Sequence, residues 1–462
     1  MWRLEKIINP DSRFSYLSGA DPTPRIRSTM HDLNTIFAEA VRCHQQGLFS
    51  EAQSRYLTVL EALPDNINIL GNLGLLCRDM GNLEEALHYC LRAAKAAPDD
   101  PVQQVNLGAV YEAMGRLDQA RSCYEKALAQ CPNHPKALNN LGKLLHLQGE
   151  AEKAQTLIEQ AVAIDPGSSL ALNNLGVILS ARGNTRSAIT YIEKSLQLDP
   201  ANIETLYNLA GLYNCEGQYD SAAELLERLL ALAPSHGPAS HMLAALRGEV
   251  PPTAPPDYVA MTFDRYAGRF DRHIQEVLGY TAPLALAEMT YELTDQPTFD
   301  HCLDLGCGTG LSGAAFQPLA GQLTGVDISP LMLSQAQAKN IYARLECAEI
   351  LSFLDTEKQQ YDLVVAADVF IYLGQLEPVF QRLQRLAVPG ALLACSIERT
   401  QQNTPFTLRV SGRYAHNPDY LVQEAHKAGF GVKSHREHDL RKENNNWIAG
   451  DLFIFEKESH HA

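Results

Sequence analysis

His301-Cys302-Leu303-Asp304-Leu305-Gly306-Cys307-Gly308-Thr309-Gly310 is a short apolar run that breaks into a glycine-rich turn, and a helical stretch follows it. Glycine is required where the backbone must turn tightly and let a ligand approach with no Cβ in the way. Outward from it, Leu323-Thr324-Gly325-Val326-Asp327 reads as a second strand ending in an acid 17 residues after Gly310. A carboxylate at that strand end can accept hydrogen bonds from both hydroxyls of a ribose. From residue 301 onward short apolar runs alternate with helices, which argues a parallel, doubly wound sheet.

The pattern Gly308-x-Gly310-x-x-Gly313 also matches the dinucleotide fingerprint. Asp304 separates the two readings. A carboxylate beside the loop repels a pyrophosphate, yet it suits the ammonium of a methionine moiety beneath a cationic sulfonium. The expected ligand is therefore S-adenosylmethionine rather than NAD. Later segments agree in order. Glu349 closes a third strand, where an acceptor would face an adenine amino group, and Tyr361 to Phe370 is a mostly apolar fourth strand opening onto the cleft. Leu386 to Ser396 is a turn followed by a fifth strand. Trp447 to Phe455 reads as a last antiparallel strand after a polar loop from Lys442 to Asn446.

This series resembles the class I S-adenosylmethionine-dependent methyltransferases over residues 258–457. The resemblance implies a Rossmann-like α/β domain. It implies a cofactor site built from Asp304, Gly306, Cys307, Gly308 and Gly310 in the turn, Asp327 and Ile328 after the second strand, and Glu349 and Ile350 after the third, with Asp368 and Tyr266 completing it. Two further stretches, Phe263-Asp264-Arg265-Tyr266-Ala267-Gly268-Arg269-Phe270-Asp271 and Ser411-Gly412-Arg413-Tyr414-Ala415-His416, are similar to segments of a predicted family of repeat-containing methyltransferases. That likeness implies that Phe263, Tyr266 and Phe270 close near the methionine end of the cofactor, unless they belong to an ordinary amphipathic core helix. It makes Arg413, Tyr414 and His416 the acceptor-side candidates, with satisfaction by nearby backbone as the alternative.

Methyl transfer is a displacement at carbon, so the main task is alignment. A base is needed only for an acceptor protonated at neutral pH. Asp368 and Tyr372, after the fourth strand, could position an acceptor; His416, with an ordinary pKa of ~6.5, could take its proton. Asp368 could equally cap the helix that follows. No metal is implied.

The first half has a different grammar. Pro64, Pro98, Pro132, Pro166, Pro200 and Pro234 keep a constant step of 34 residues. Small residues keep the same step at Ala40, Gly74, Gly108, Gly142, Gly176, Ala210 and Ala244, and at Ala52, Ala86, Ala120, Ala154, Ala188 and Ala222. Small side chains at fixed places let two helices approach closely, and turns such as Met80-Gly81-Asn82 join them, so each period is a helix-turn-helix that stacks on its neighbours. The pattern resembles the tetratricopeptide repeat in six units over residues 33–236, with 237–247 as a capping helix and 1–32 as an extension without period. The expected fold is thus multidomain: an all-α tetratricopeptide solenoid over 33–247, a proline-rich, extended linker over 248–257, and the α/β methyltransferase domain.

In the resembled repeats the first helices line a concave face that docks protein or peptide. Asn72, Asn106, Asn140, Asn174 and Asn208 share one place in successive units, and a ladder of carboxamides can pair with the N–H and C=O of an extended peptide. The same asparagines can instead trim local hydrogen bonding. Either a docked protein is the methyl acceptor, or a small metabolite is and the repeats gather partners, or the chain is an inert adaptor; the intact glycine turn and its acids argue against the last.

Composition bounds the rest. The 462 residues exceed one ordinary core, and 45% apolar with 20% charged residues suits a globular chain. No stretch reaches the ~18 consecutive apolar residues of a membrane span, and the N-terminus lacks the apolar core of a signal peptide. A net charge of -16, with acid in excess in both halves, disfavours nucleic acid as partner. Ten cysteines without a C-x-x-C pair read as buried, reduced thiols of a cytoplasmic protein with no metal site.

Overall fold

The computed structural model describes residues 24–264, 266–294, 298–443 and 446–458. They divide into two compact units, with the boundary between residues 144 and 145.

In the first unit, helices Pro24–Gln45, Phe49–Ala62, Ile67–Asp79, Leu83–Ala96, Pro101–Ala113 and Leu117–Gln130 follow one another, joined by short turns. The 34-residue rule has a direct physical basis. A Cβ on Gly74 would lie 2.4 Å from the Cys90 sulfur, and one on Gly108 would lie 2.5 Å from the Tyr124 ring. The second helix of each pair thus presses a large side chain into a notch that only a small residue leaves open. Ala52, Ala86 and Ala120 are fully buried at the same crossing. The helices Ile67–Asp79 and Pro101–Ala113 are also capped at a constant place: Asn66 accepts from the backbone N–H of Asn68 and Ile69, and Asp100 from that of Val102.

The second unit continues the rule. A Cβ on Gly176 would lie 2.3 Å from Ile192. Ser168 and Asn202 cap the helices Ser169–Ala181 and Ile203–Cys215. After the helix Gly237–Arg247, the proline-rich stretch is extended as its composition predicts, but it is not a free spacer. The Ala254 N–H donates to Tyr372 O at 3.0 Å, the Gln375 N–H to Pro252 O at 2.8 Å, and the Tyr414 hydroxyl to Pro251 O at 2.9 Å. The compact grouping therefore takes the later repeats together with the sheet rather than separating them at the linker.

The sheet comprises β1 (Phe299–Leu305), β2 (Ala320–Asp327), β3 (Arg344–Cys347), β4 (Tyr361–Ala366) and β5 (Ala387–Glu398). A hairpin of β6 (Phe406–Leu408) and β7 (Tyr414–His416) stands apart, and β8 (Phe430–Glu443) and β9 (Asn446–Lys457) complete the chain. The order is β3-β2-β1-β4-β5-β9-β8, with the first five strands parallel and β9 antiparallel to both neighbours. Strand β4 reads as apolar text from Leu363 onward because both of its faces are covered: Val364 and Ala366 enter one core, Leu363 and Val365 the other. It is shorter than its apolar run, since Phe370–Tyr372 turns into a 3-10 helix. The order reverses between β1 and β4, and that switch point opens a crevice at the strand ends.

Among the described residues, no helix is long and apolar enough to cross a membrane. Every cysteine is a free thiol, but the expectation of uniform burial fails at Cys215 and Cys347, which are exposed. Their helix and strand ends leave the side chains outside either core.

Candidate active site

A cavity of about 710 Å³ occupies the crevice. Its floor is the turn after β1. Gly306 and Gly308 take positive φ of +61° and +54°, and a Cβ on Gly306 would meet Val369 at 2.8 Å. A Cβ on Gly308 would meet nothing among the described residues, so the missing side chain leaves space open to the cavity. Cys307 lines the cavity as well, whereas Gly310 lies behind it and starts the short helix Leu311–Phe316.

Asp327 ends β2 at the cavity wall. Its carboxylate accepts from the Gly308 N–H at 2.9 Å and the Ser329 N–H at 2.8 Å, and burial pushes its pKa up. Ile328, Glu349 and Ile350 line the same wall. Glu349 lies two residues beyond β3 and caps the helix Ile350–Thr356, accepting from the N–H of Leu351 at 2.9 Å and Ser352 at 2.7 Å. Each carboxylate oxygen keeps a second lone pair for a ligand.

Asp304 departs from its expected role. It is buried behind the turn, outside the cavity lining, and its oxygens accept from the Ser312 hydroxyl at 2.7 and 2.8 Å and the Tyr342 hydroxyl at 2.7 Å. Burial pushes its pKa up to about 6. The carboxylate thus braces the turn from below, through Ser312 and Tyr342.

The opposite wall is aromatic. Phe263, Tyr266 and Phe270 all line the cavity, with ring centroids of neighbouring pairs 5.6 to 6.1 Å apart, and Phe263 meets Tyr372 at 5.5 Å. The acids interleaved with these rings were not singled out from sequence, yet they tie the segment down. Ser329 donates to Asp264 at 2.6 Å, Lys339 pairs with Asp271 at 2.8 Å, and the Thr309 hydroxyl in the glycine turn donates to Asp271. The repeated Phe-Asp pair was the signal for them.

At the far end lies a buried charge network. Asp368 lines the cavity in the left-handed region, at φ +62°, and its N–H donates to the Ser396 hydroxyl at 2.8 Å. A non-glycine residue held there is strained by its surroundings. It caps no helix. Both of its oxygens accept from Arg441 at 2.7 Å, and Arg441 also donates to the buried Glu398. Burial raises the Asp368 pKa while Arg441 opposes the rise. Arg413 reaches the cavity with Tyr372, its guanidinium donating to Glu443 at 3.1 Å. Glu443 sits where the sequence predicted only a polar loop, and Arg441 just ahead of it was not singled out; they become legible only when the end of β8 is brought to the end of β5.

Two acceptor-side candidates do not reach the cavity. Tyr414 is buried, with its hydroxyl donated to Pro251 O, and His416 is fully buried with Nε2 donating to Leu373 O at 2.8 Å. Burial lowers the His416 pKa to about 4. A histidine so placed is no base for an acceptor: it fastens the β6–β7 hairpin to the segment after β4. Folding keeps this imidazole neutral, so stability tied to it is complete above pH ~6.5 and is lost as pH falls towards about 4, by up to about 3 kcal/mol. His416→Gln retains a donor without the titration. Urea midpoints of wild type and this variant should therefore converge between pH 7 and pH 4.5; a constant gap contradicts the assignment.

The hairpin tip is gripped by the later repeats and by Tyr258 beyond the linker. Asn214 donates to Val410 O at 2.9 Å, His241 to Gly412 O at 2.9 Å and Tyr258 to Ser411 O at 3.4 Å. Among the ladder asparagines of the first unit, Asn72 donates to Asn68 O at 2.8 Å, Asn140 accepts from Asn139 at 3.2 Å, and Asn106 is half-buried. In the second unit Asn174 is buried and Asn208 donates to Asn173 at 3.1 Å.

The methyltransferase-domain family pattern matches residues 303–393, and tetratricopeptide-repeat patterns match residues 45–101, 104–167 and 179–246. The chain is similar to the human methyltransferase-like protein 27, at 45% identity over 18% of this chain and 34% of that protein. It is similar to a trans-aconitate 2-methyltransferase of Delftia acidovorans, at 30% identity over 36% of this chain and 58% of that one. It is also similar to the EEF1A lysine methyltransferase 3 of Xenopus tropicalis, at 34% identity over 29% of this chain and 65% of that one. The chain thus spans 34% to 65% of the length of these relatives. With the β3-β2-β1-β4-β5-β9-β8 order and the glycine turn at the switch point, these matches give the chain tetratricopeptide repeats followed by a Rossmann-like methyltransferase domain.

Proposed function

We propose that this chain transfers a methyl group from S-adenosylmethionine to a nucleophile on a protein or peptide docked by its repeats. The observation that carries the reading is the cavity at the switch point, where a glycine turn and the carboxylates Asp327 and Glu349 face a wall of Phe263, Tyr266 and Phe270. This lining fits a nucleoside with a cationic sulfur: acceptors for ribose and adenine on one side, aromatic faces for a cation on the other. When bound, the cofactor supplies an electrophilic methyl group whose carbon–sulfur bond breaks as the acceptor's lone pair forms the new bond.

The chain's own residues do the rest. Asp327 holds the ribose, Glu349 the adenine edge, and Gly306 and Gly308 let the backbone close on the methionine end. Asp304 keeps the turn in shape. Phe263, Tyr266 and Phe270 exclude water, which protects a reactive donor and fixes the line of attack. Tyr372, whose pKa burial raises, stays a neutral donor that orients the acceptor, and Asp368, fixed by Arg441, is the group placed to receive a proton.

A protein acceptor is favoured because the repeats do not merely precede the catalytic domain: Asn214 and His241 hold the hairpin tip at 410–412, and the next residue, Arg413, lines the cavity. The similarity to a lysine methyltransferase agrees, while that to a trans-aconitate methyltransferase keeps a small carboxylate as the second reading. Incubation of the pure protein with methyl-labelled cofactor and cell lysate, whole or stripped of small molecules, separates them. Label is expected on a protein band in both lysates, and the double replacement Asn140→Ala with Asn174→Ala should cut that labelling about tenfold while leaving cofactor affinity intact. Label confined to small molecules contradicts the protein acceptor, and no transfer at all leaves an adaptor.

A further inference from the structure

We propose that the turn at residues 147–149 of the repeat array is the seat of the cofactor lid, and that this seat holds residues 263–264 and 266–273 closed over the cavity. The inference rests on the cavity being the cofactor site. On its inner side the lid is fastened to groups beside the cofactor turn. Asp271 takes Thr309 and Lys339, Asp264 takes Ser329, and Gln335 donates to Ala267 O at 2.5 Å. Its outer side meets the array backbone to backbone. A Cβ on Gly268 would lie 1.9 Å from Leu147 O and 3.0 Å from its carbonyl carbon, and a Cβ on Gly149 would lie 2.9 Å from Gly268 O. No flexible side chain stands between them to give way.

The array itself supplies the contrast. Gly47, Gly81, Gly115, Gly149, Gly183 and Gly217 are equivalent turn residues, with φ between +72° and +84°. A Cβ on Gly149 alone among these six would meet any atom within 4 Å among the described residues. The repeats are alike in their turns, and this one differs in touching the lid. The lid must swing off Thr309 and Ser329 for the nucleoside to leave, and its seat on the array opposes that swing. Gly149 and Gly268 are positioning residues: they act on the cofactor only through Phe263, Tyr266 and Phe270.

Three single variants test this by chase of labelled S-adenosylhomocysteine with excess unlabelled ligand, alongside thermal unfolding. Gly149→Ala and Gly183→Ala force the same left-handed strain on equivalent turns, at φ +84° and +81°, so both should lose the same few degrees of melting temperature. Only Gly149→Ala also wedges the lid. Gly268→Ala wedges it from the other side, in a 3-10 turn where alanine strains nothing. Release should be about tenfold faster in Gly149→Ala and Gly268→Ala and unchanged in Gly183→Ala. Equal release rates for Gly149→Ala and Gly183→Ala, or a wild-type rate in Gly268→Ala, overturn the seat. Wild type that retains no labelled ligand overturns the cofactor reading, and the seat with it.

Discussion

Asp327→Ala should weaken S-adenosylhomocysteine binding by about 100-fold, measured by isothermal titration at pH 7.5. The carboxylate lines the cavity at the end of β2 and spends one acceptor position on each of Gly308 and Ser329, which leaves a lone pair on each oxygen for ribose hydroxyls. Charge-assisted hydrogen bonds contribute ~1.5 kcal/mol or more each, so losing two costs about 3 kcal/mol, or ~100-fold in affinity. The substitution also frees the Gly308 N–H, so the turn loosens in the same step. Asp327→Asn retains an acceptor and should lose only about tenfold. Binding unchanged in the alanine variant would remove Asp327 from the cofactor site.

Arg441→Ala should lower unfolding free energy by about 3–5 kcal/mol, read from urea midpoints, because it leaves the buried Asp368 without its ion-pair partner and Glu398 with Arg409 alone. Arg441 is 3% exposed, Glu398 is fully buried, and Asp368 is pinned at both oxygens by the same guanidinium. The sign of the pH dependence follows. With the arginine gone, burial and the Glu398 charge push Asp368 up while Arg413 still opposes them, so its pKa, already above its ordinary value, rises further. A folded pKa above the unfolded one contributes stability at low pH that is lost as pH rises through the folded value. The deficit of the variant should therefore narrow on going from pH 7.5 to pH 5.5. Arg441→Lys retains the charge but not the fork whose two nitrogens reach Asp368 and Glu398, and should recover only part of the loss. A deficit independent of pH would mean that the pair is not coupled to ionisation.

The repeats were legible in the sequence because their physics is local. A helix that must admit Cys90, Tyr124 or Ile192 at one fixed place leaves a small residue in the text at Gly74, Gly108 and Gly176. The sheet was legible for the same reason: strands buried on both faces read as apolar runs, and the turn at 306–308 needs glycine. The far end of the cavity was not. Arg441 belongs to the last hairpin and meets Asp368 across 73 positions, a pairing that strand order alone decides. His416 and Tyr414 carried the right chemistry for an acceptor site, yet β7 turns them into the interface with the linker and the segment after β4. Asp304 misled in the same way, since residue type reports charge but not the hydroxyls of Ser312 and Tyr342 that fold against it. The contact of the array with Gly268 left no mark in the text beyond one more glycine.

The most direct test of the account is a calorimetric titration of the full chain with S-adenosylhomocysteine and, in parallel, with NAD. Saturable one-to-one binding of the sulfur nucleoside at micromolar concentration, with no heat from NAD, is the predicted result. Binding of NAD, or no heat from the sulfur nucleoside at millimolar concentration, would contradict the assignment of the cavity.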